Sequence, residues 1–197
     1  PEVREDDPAY QQFICGKGGV IDTWLSRGAS GFRLDVADEL PDDFIESIRK
    51  AVKAHGPDCY LLGEVWEDAT TKEAYGVRRT YLLGKGLDGV MNYPFRGSVL
   101  AFMHGQMDAF ALREFFIAQQ MNYPKTMYYS LMNLLGSHDV ERLRTALATD
   151  VWLRSLSRED QLKVEFTQEA RDKALVLERL CAVLQFATPG VPCIYYG

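Results

Sequence analysis

Long apolar runs are missing from this chain. None approaches the ~18 consecutive residues that a membrane span requires, so no membrane association is expected. Lysine and arginine number 22 against 28 aspartates and glutamates, giving a formal net charge of -6, and nowhere gather into a cluster. Binders of a phosphate backbone usually show such a patch, which argues against nucleic acid as a partner. Three histidines leave little for a zinc site, and the four cysteines (Cys15, Cys59, Cys181 and Cys193) never form C-x-x-C. Reduced core cysteines of a cytoplasmic protein are expected; their even number leaves pairing in a secreted protein open. A phosphate loop is missing as well. CGKGGVID hints at one, but a dinucleotide fingerprint counted from Gly16 needs glycine where Ile21 stands, and Lys17 is followed by Gly18 rather than Ser or Thr. No repeat and no low-complexity stretch is present. The chain opens on PEVREDDPAY, without an initiator Met or a signal-like segment, and closes on VPCIYYG. A piece of a longer protein is expected.

What is present is ordinary globular material: 197 residues, 47% hydrophobic and 25% charged, enough to bury a core. Short apolar runs alternate with long amphipathic ones. QQFICGKGGVIDTWLSRG reads as a helix broken or bent by its glycines, with Ile21, Trp24 and Leu25 as its apolar face. GFRLDVA reads as a strand. PDDFIESIRKAVKAHG is a helix opened by Pro41, Asp42 and Asp43, striped by Phe44, Ile45, Ile48 and Val52, and closed at His55-Gly56. CYLLGEVW is a second strand, followed by a polar, partly helical segment to about Gly86. LDGVMNYPF is a third strand, two helical stretches follow at 98–104 and 108–120, and LMNLLGSHD is a fourth strand. EARDKALVLERLCAVLQFA is a strongly periodic helix and PCIYY a fifth strand, with 149–168 a surface excursion. Strands alternating with helices predict parallel βαβ units. An open doubly wound sheet and most of a (β/α)₈ barrel both fit; a complete barrel needs ~250 residues.

GFRLDVADEL carries a contradiction. Side chains alternate along a strand, so Phe32 and Leu34 point one way and Arg33 and Asp35 the other. An ion pair stands where a core wants Val or Ile, and a buried ion pair is weak evidence of stability. The polar residues sit at strand ends: Asp35 closes GFRLD, Glu64 closes CYLLGE, His138 and Asp139 close LMNLLGSHD. Parallel sheets and barrels gather their functional groups at these carboxyl ends. Three neighbouring acids repel, which favours one ionised and one protonated carboxylate, the pair that a retaining glycosidase needs ~5 Å apart. His138 falls on the opposite alternation from Asp139, so the chain must leave strand geometry there for both to face one site.

GFRLDVA, GEVWEDA and LLGSHDVERLRT resemble, in the right order, the second, third and fourth conserved regions of the α-amylase family of (β/α)₈ glycosidases. LDGVMNYPF and PGVPCIYYG resemble its sixth and eighth strands, and the wording is most similar to the neopullulanase, cyclomaltodextrinase and maltogenic amylase branch. The resemblance implies an incomplete TIM barrel, about strands 4 to 8, as one partial catalytic domain over 1–197. It implies Asp35 as nucleophile, Glu64 as general acid/base and Asp139 as the third acid, with Arg33 orienting Asp35, His138 bonding a sugar hydroxyl and Trp66 near the leaving-group sugar. It implies an α-glucan substrate such as maltodextrin, cyclodextrin or pullulan, hydrolysis with transglycosylation left open, and no cofactor, calcium in the parent being left open too.

Departures from the family pattern shape a second reading. Ser30 stands where many relatives have an acid, and the family's first region and first three strands are absent. Five strands cannot close an eight-stranded barrel, leaving open edges. An inactive fragment or carbohydrate-binding remnant, needing a missing N-terminal segment or self-association, is the alternative.

Overall fold

The computed structural model describes residues 4–74, 76–151 and 153–196, the side chain of Arg154 excepted. Two compact units result. The chain up to Met91 together with Asn122–Leu131 forms one; Asn92–Met121 and everything after Leu131 form the other.

The first unit opens with α1 (Pro8–Cys15), whose Asp7 cap accepts hydrogen bonds from the Ala9 and Tyr10 amides. The glycine run then breaks the helix outright: Gly18 adopts φ 75°, and α2 (Val20–Ser26) starts afresh. Ile21 and Leu25 of α2 are buried, whereas Trp24 is 53% exposed and lies off the expected apolar face. Strand β1 (Gly31–Leu34) leads through a short 3₁₀ turn (Ala37–Glu39) into α3 (Asp42–Lys53). The stripe Phe44, Ile45, Ile48 and Val52 is buried as its spacing predicts, with acids in the first turn and lysines in the last. Strand β2 (Tyr60–Gly63) pairs parallel with β1 from Gly31↔Tyr60 to Leu34↔Gly63. The approach is close at Gly31, where a Cβ would stand 2.1 Å from the Tyr60 carbonyl oxygen.

The segment expected to be partly helical instead holds an antiparallel hairpin, β3 (Glu73–Ala74) with β4 (Val77–Arg78). Gly76, at φ 74°, supplies the positive φ of its turn; Tyr75 lies outside the described residues. LDGVMNYPF contributes only two strand residues, β5 (Gly89–Val90), parallel to β2, because Asn92 caps a helix by accepting from the Phe95 amide with Pro94 in its first turn.

That helix, α4 (Tyr93–Met103), begins the second unit, followed by α5 (Ala109–Asn122). The chain returns to the first unit for α6 (Lys125–Tyr129), where the Tyr60 hydroxyl donates to the Ser130 carbonyl oxygen at 2.5 Å. Strand β6 (Met132–Leu134), α7 (Leu143–Leu147), α8 (Arg158–Leu162), α9 (Gln168–Ala187) and β7 (Val191–Cys193) complete the second unit, β6 and β7 pairing in parallel. Thr167 caps α9 by accepting from the Ala170 amide. Trp152, in the 149–168 stretch, lies outside the described residues.

A hydrogen-bonded row of amides runs through this unit. Asn92 Nδ2 donates to Asn133 Oδ1 at 2.9 Å, Gln119 Nε2 to Asn92 Oδ1 at 2.8 Å, and Gln185 Nε2 to the Asn133 and Cys193 carbonyls at 2.9 Å each. All four side chains are buried, and mutual pairing removes the penalty of burying them. The four cysteines are free thiols.

Candidate active site

Strand β1 ends on Leu34 and β2 on Gly63, which are register partners, so Asp35 and Glu64 leave adjacent strands at one level. The ladder continues one step: the Glu64 amide donates to Leu34 O at 3.0 Å and the Ala37 amide to Glu64 O at 3.1 Å. The two carboxylates differ in surroundings. Asp35 is open, its side chain 76% exposed; that of Glu64 is 5% exposed. Arg33 joins them. Its Nη1 donates to Asp35 Oδ1 and its Nη2 lies 2.9 Å from Glu64 Oε1, so one guanidinium holds both acids. The sequence suggested only the Asp35 half of this fork. Trp66 Nε1 donates to Glu64 Oε1 at 3.2 Å, and the Val36 amide donates to Oε2 at 2.9 Å.

Val36 reaches Glu64 because its backbone turns to φ 44°. A β-branched residue there is strained by about 1–3 kcal/mol. The following turn is braced by Arg79, which donates to the carbonyls of Asp38 and, at 2.5 Å, Leu40, and pairs with Asp42 at 2.6 Å. Burial works to raise the Asp42 carboxyl, but hydrogen bonds from the Thr80 hydroxyl and amide and from Arg79 outweigh it and hold it below the usual carboxylate range.

In the second unit the chain leaves strand geometry after Leu134, which frees His138 and Asp139 from the alternation of a strand. His138 Nε2 stands 3.2 Å from Asp139 Oδ2, and the Asp139 amide donates to Ser137 Oγ at 3.2 Å. Ser137 Oγ in turn lies 3.2 Å from the Tyr93 hydroxyl. A cavity of about 680 Å³ opens beside this loop, lined by His138, Asp139, Glu141, Thr145, Arg158 and Gln161 among others. Tyr93 reads in the sequence as a core or rim aromatic, and it is 6% exposed at the start of α4, where Asn-Tyr-Pro opens a helix and does not close a strand. Nothing in the sequence singles out Ser137.

A model of the alpha-amylase catalytic domain matches residues 7–197. The chain belongs to the alpha-amylase family. Among curated relatives, the cyclomaltodextrinase of Geobacillus thermopakistaniensis is 36% identical over 199 residues, covering 100% of this chain and 28% of that protein. Neopullulanase 2 of Thermoactinomyces vulgaris is 31% identical over 198 residues, with the same two shares. A solved structure of the cyclic α-maltosyl-(1→6)-maltose hydrolase of Arthrobacter globiformis, in complex with maltose, superposes with a TM-score of 0.74 at 31% identity, over 97% of this chain and 36% of that one. The chain thus spans less than a third of the two curated relatives.

Within this alpha-amylase family member two histidines differ from expectation. His55, expected to cap α3, instead places Nε2 2.9 Å from Asp22 Oδ1, and Ala54 takes the cap. His104, at the end of the stretch 98–104 that reads as a helix and so expected on that helix's surface, is largely buried after α4, between Asp150 Oδ1 at 2.8 Å and the Ala146 carbonyl at 3.1 Å. Among the described residues no three His, Cys, Asp or Glu side chains stand together as a metal site, and no helix is long and apolar enough to cross a membrane.

Proposed function

We propose that this chain carries the acids of a retaining α-glucan glycosidase, with Asp35 as nucleophile, Glu64 as general acid/base and Asp139 as the third acid. The chain is read as about strands 4 to 8 of a (β/α)₈ barrel. The observation that carries the assignment is the Arg33 fork: one guanidinium grips an open carboxylate and a buried one at the ends of neighbouring parallel strands.

An Asp35 oxygen attacks the anomeric carbon while Glu64 gives its proton to the glycosidic oxygen, and the leaving sugar departs. Water then loses a proton to Glu64, attacks the same carbon and releases Asp35. The Trp66 indole N–H holds Glu64 Oε1 by the longest of its three contacts, and Trp66 is 37% exposed. An incoming glycosidic oxygen displaces that contact most readily. Arg33 keeps Asp35 aimed, and His138, whose side chain is 66% exposed, offers a ring N–H to a sugar hydroxyl. The substrate is a maltodextrin, cyclodextrin or pullulan, by analogy with relatives named for such activities.

In a chromogenic maltooligosaccharide assay, Glu64→Gln is expected to lower kcat by about 10²–10⁴-fold. Asp35→Asn is expected to abolish turnover, with binding of the sugar largely kept in both. A near-normal rate in either variant overturns the assignment.

The limited share of its relatives that the chain spans favours a second reading, a carbohydrate-binding piece that completes its site with a further segment or a second copy. Exposed Val176, Leu180 and Val183 along α9, and Ile194 just beyond β7, suit such association. Isothermal titration showing maltooligosaccharide binding by a chain without turnover supports that reading; turnover by the monomer rejects it.

A further inference from the structure

The loop between β6 and α7 presents His138 and Asp139 without regular secondary structure of its own, so something else must fix its path. Residues 136–140 lie between two carbonyls, those of Leu135 and Glu141, and one buried side chain reaches both. Arg96, 4% exposed in the second turn of α4, donates from Nε to Leu135 O at 3.1 Å and from Nη2 to Glu141 O at 3.5 Å. The same Nη2 stands 3.3 Å from Glu141 Oε1. A single planar group therefore joins the beginning and the end of the loop, a task suited to a rigid fork of donors and not to a lysine.

The middle of the loop is held from the same helix face. Tyr93 and Arg96 stand three residues apart on α4, and positions so spaced are neighbours on a helix surface. The Tyr93 hydroxyl meets Ser137 Oγ, which accepts the Asp139 amide. Helix α4 thus touches the loop at its start, middle and end.

Glu141 is costly in this place. Its side chain is 12% exposed, and Oε2 is buried with no hydrogen-bond partner among the described residues. A buried ion pair is weak evidence of a purely stabilising role, and a half-satisfied one calls for an explanation that a place beside a functional loop supplies. We propose that Arg96 and Glu141 are positioning residues: the pair clamps the His138–Asp139 loop and holds Asp139 at its working angle. This rests on the reading of Asp139 as the third acid, and the test separates the two ideas.

The test compares the wild-type chain with Arg96→Met, Arg96→Lys, Glu141→Gln and Asp139→Asn. Amide hydrogen exchange over 136–140 is expected to rise on the order of tenfold in Arg96→Met and Glu141→Gln while α9 keeps its protection. Arg96→Lys, which cannot span both carbonyls, is not expected to restore it. In the maltooligosaccharide assay kcat is expected to fall about 10²-fold with KM changed little, as for a misplaced catalytic group. Unchanged exchange over 136–140 overturns the clamp, whatever the rates. So does wild-type kcat in Arg96→Met alongside a crippled Asp139→Asn. Full turnover in Asp139→Asn instead overturns the third-acid reading and leaves exchange alone to judge the clamp. A variant too unstable for assay is replaced by Ser137→Ala, which removes the acceptor of the Asp139 amide and is expected to loosen the same amides.

Discussion

Arg33 answers the contradiction in GFRLDVADEL. Its positive charge is shared between an open Asp35 and a buried Glu64, so the cost of placing ions beside a core is offset by two charge-assisted contacts. The first half of that arrangement is legible in sequence, because residues two apart in a strand share a face. The second half joins residues 31 apart in the chain and needs the β1–β2 register, which no local pattern prints. Val36 was equally hidden, since nothing in its neighbourhood marks a β-branched residue for a positive φ. Val36→Asn is expected to raise stability by about 1 kcal/mol, because asparagine visits this region far more readily. Val36 is 48% exposed, so little packing is lost in the exchange. Chemical denaturation measures the change, and a loss of stability would show that the strain at Val36 is not relieved by a residue suited to that conformation.

Helix α3 was the most legible element, its stripe, acidic start and basic end all standing in the sequence. Its attachment was not. Arg49 and Lys53 reach Asp88, just before β5, at 2.6 and 2.8 Å, and Asp88 also accepts the Leu61 amide of β2 at 2.9 Å. One carboxylate thereby ties a helix to two strands. Burial pushes the Asp88 carboxyl up, but Lys53, Arg49 and the Leu61 amide outweigh it, so it titrates below its ordinary value. A group depressed on folding contributes stability above its unfolded pKa and loses it as pH falls through the folded one. The window therefore lies below about pH 4. Asp88→Asn is expected to cost about 3 kcal/mol at neutral pH, leaving two cations without their shared partner. It is also expected to flatten the pH dependence in that window. Urea unfolding between pH 3 and 7 checks both, and parallel pH profiles for the two proteins would exclude this tie. Turns are the least legible in the sequence. The β3–β4 hairpin depends on Gly76 in a polar run without strong strand periodicity, and the apolar approach to Asn92-Tyr93-Pro94 reads as strand and hides a helix cap.

Across the chain, alternation of strands and helices was plain from the sequence, and parallel pairing followed from connection length. The two-unit division is not legible, because the adjacent segments 92–121 and 122–131 belong to different units and chain order alone does not show it. The buried amide row of Asn92, Gln119, Asn133 and Gln185 was likewise invisible, since each residue alone reads as surface and only mutual pairing explains the burial. The acids stood out because strand ends are where a parallel fold exposes polar groups, and family membership confirms the chain's kinship without assigning their roles. The most direct measurement is therefore covalent. A fluorinated α-glucosyl fluoride, which slows release of a glycosyl-enzyme, is incubated with the chain, and its peptides are mapped by mass spectrometry. The expected result is one sugar attached within the peptide holding Asp35, absent from Asp35→Asn and retained longer in Glu64→Gln, whose missing general base slows release. Attachment to Glu64 or Asp139, or none under conditions that label a cyclomaltodextrinase fully, contradicts the assignment of Asp35 as nucleophile.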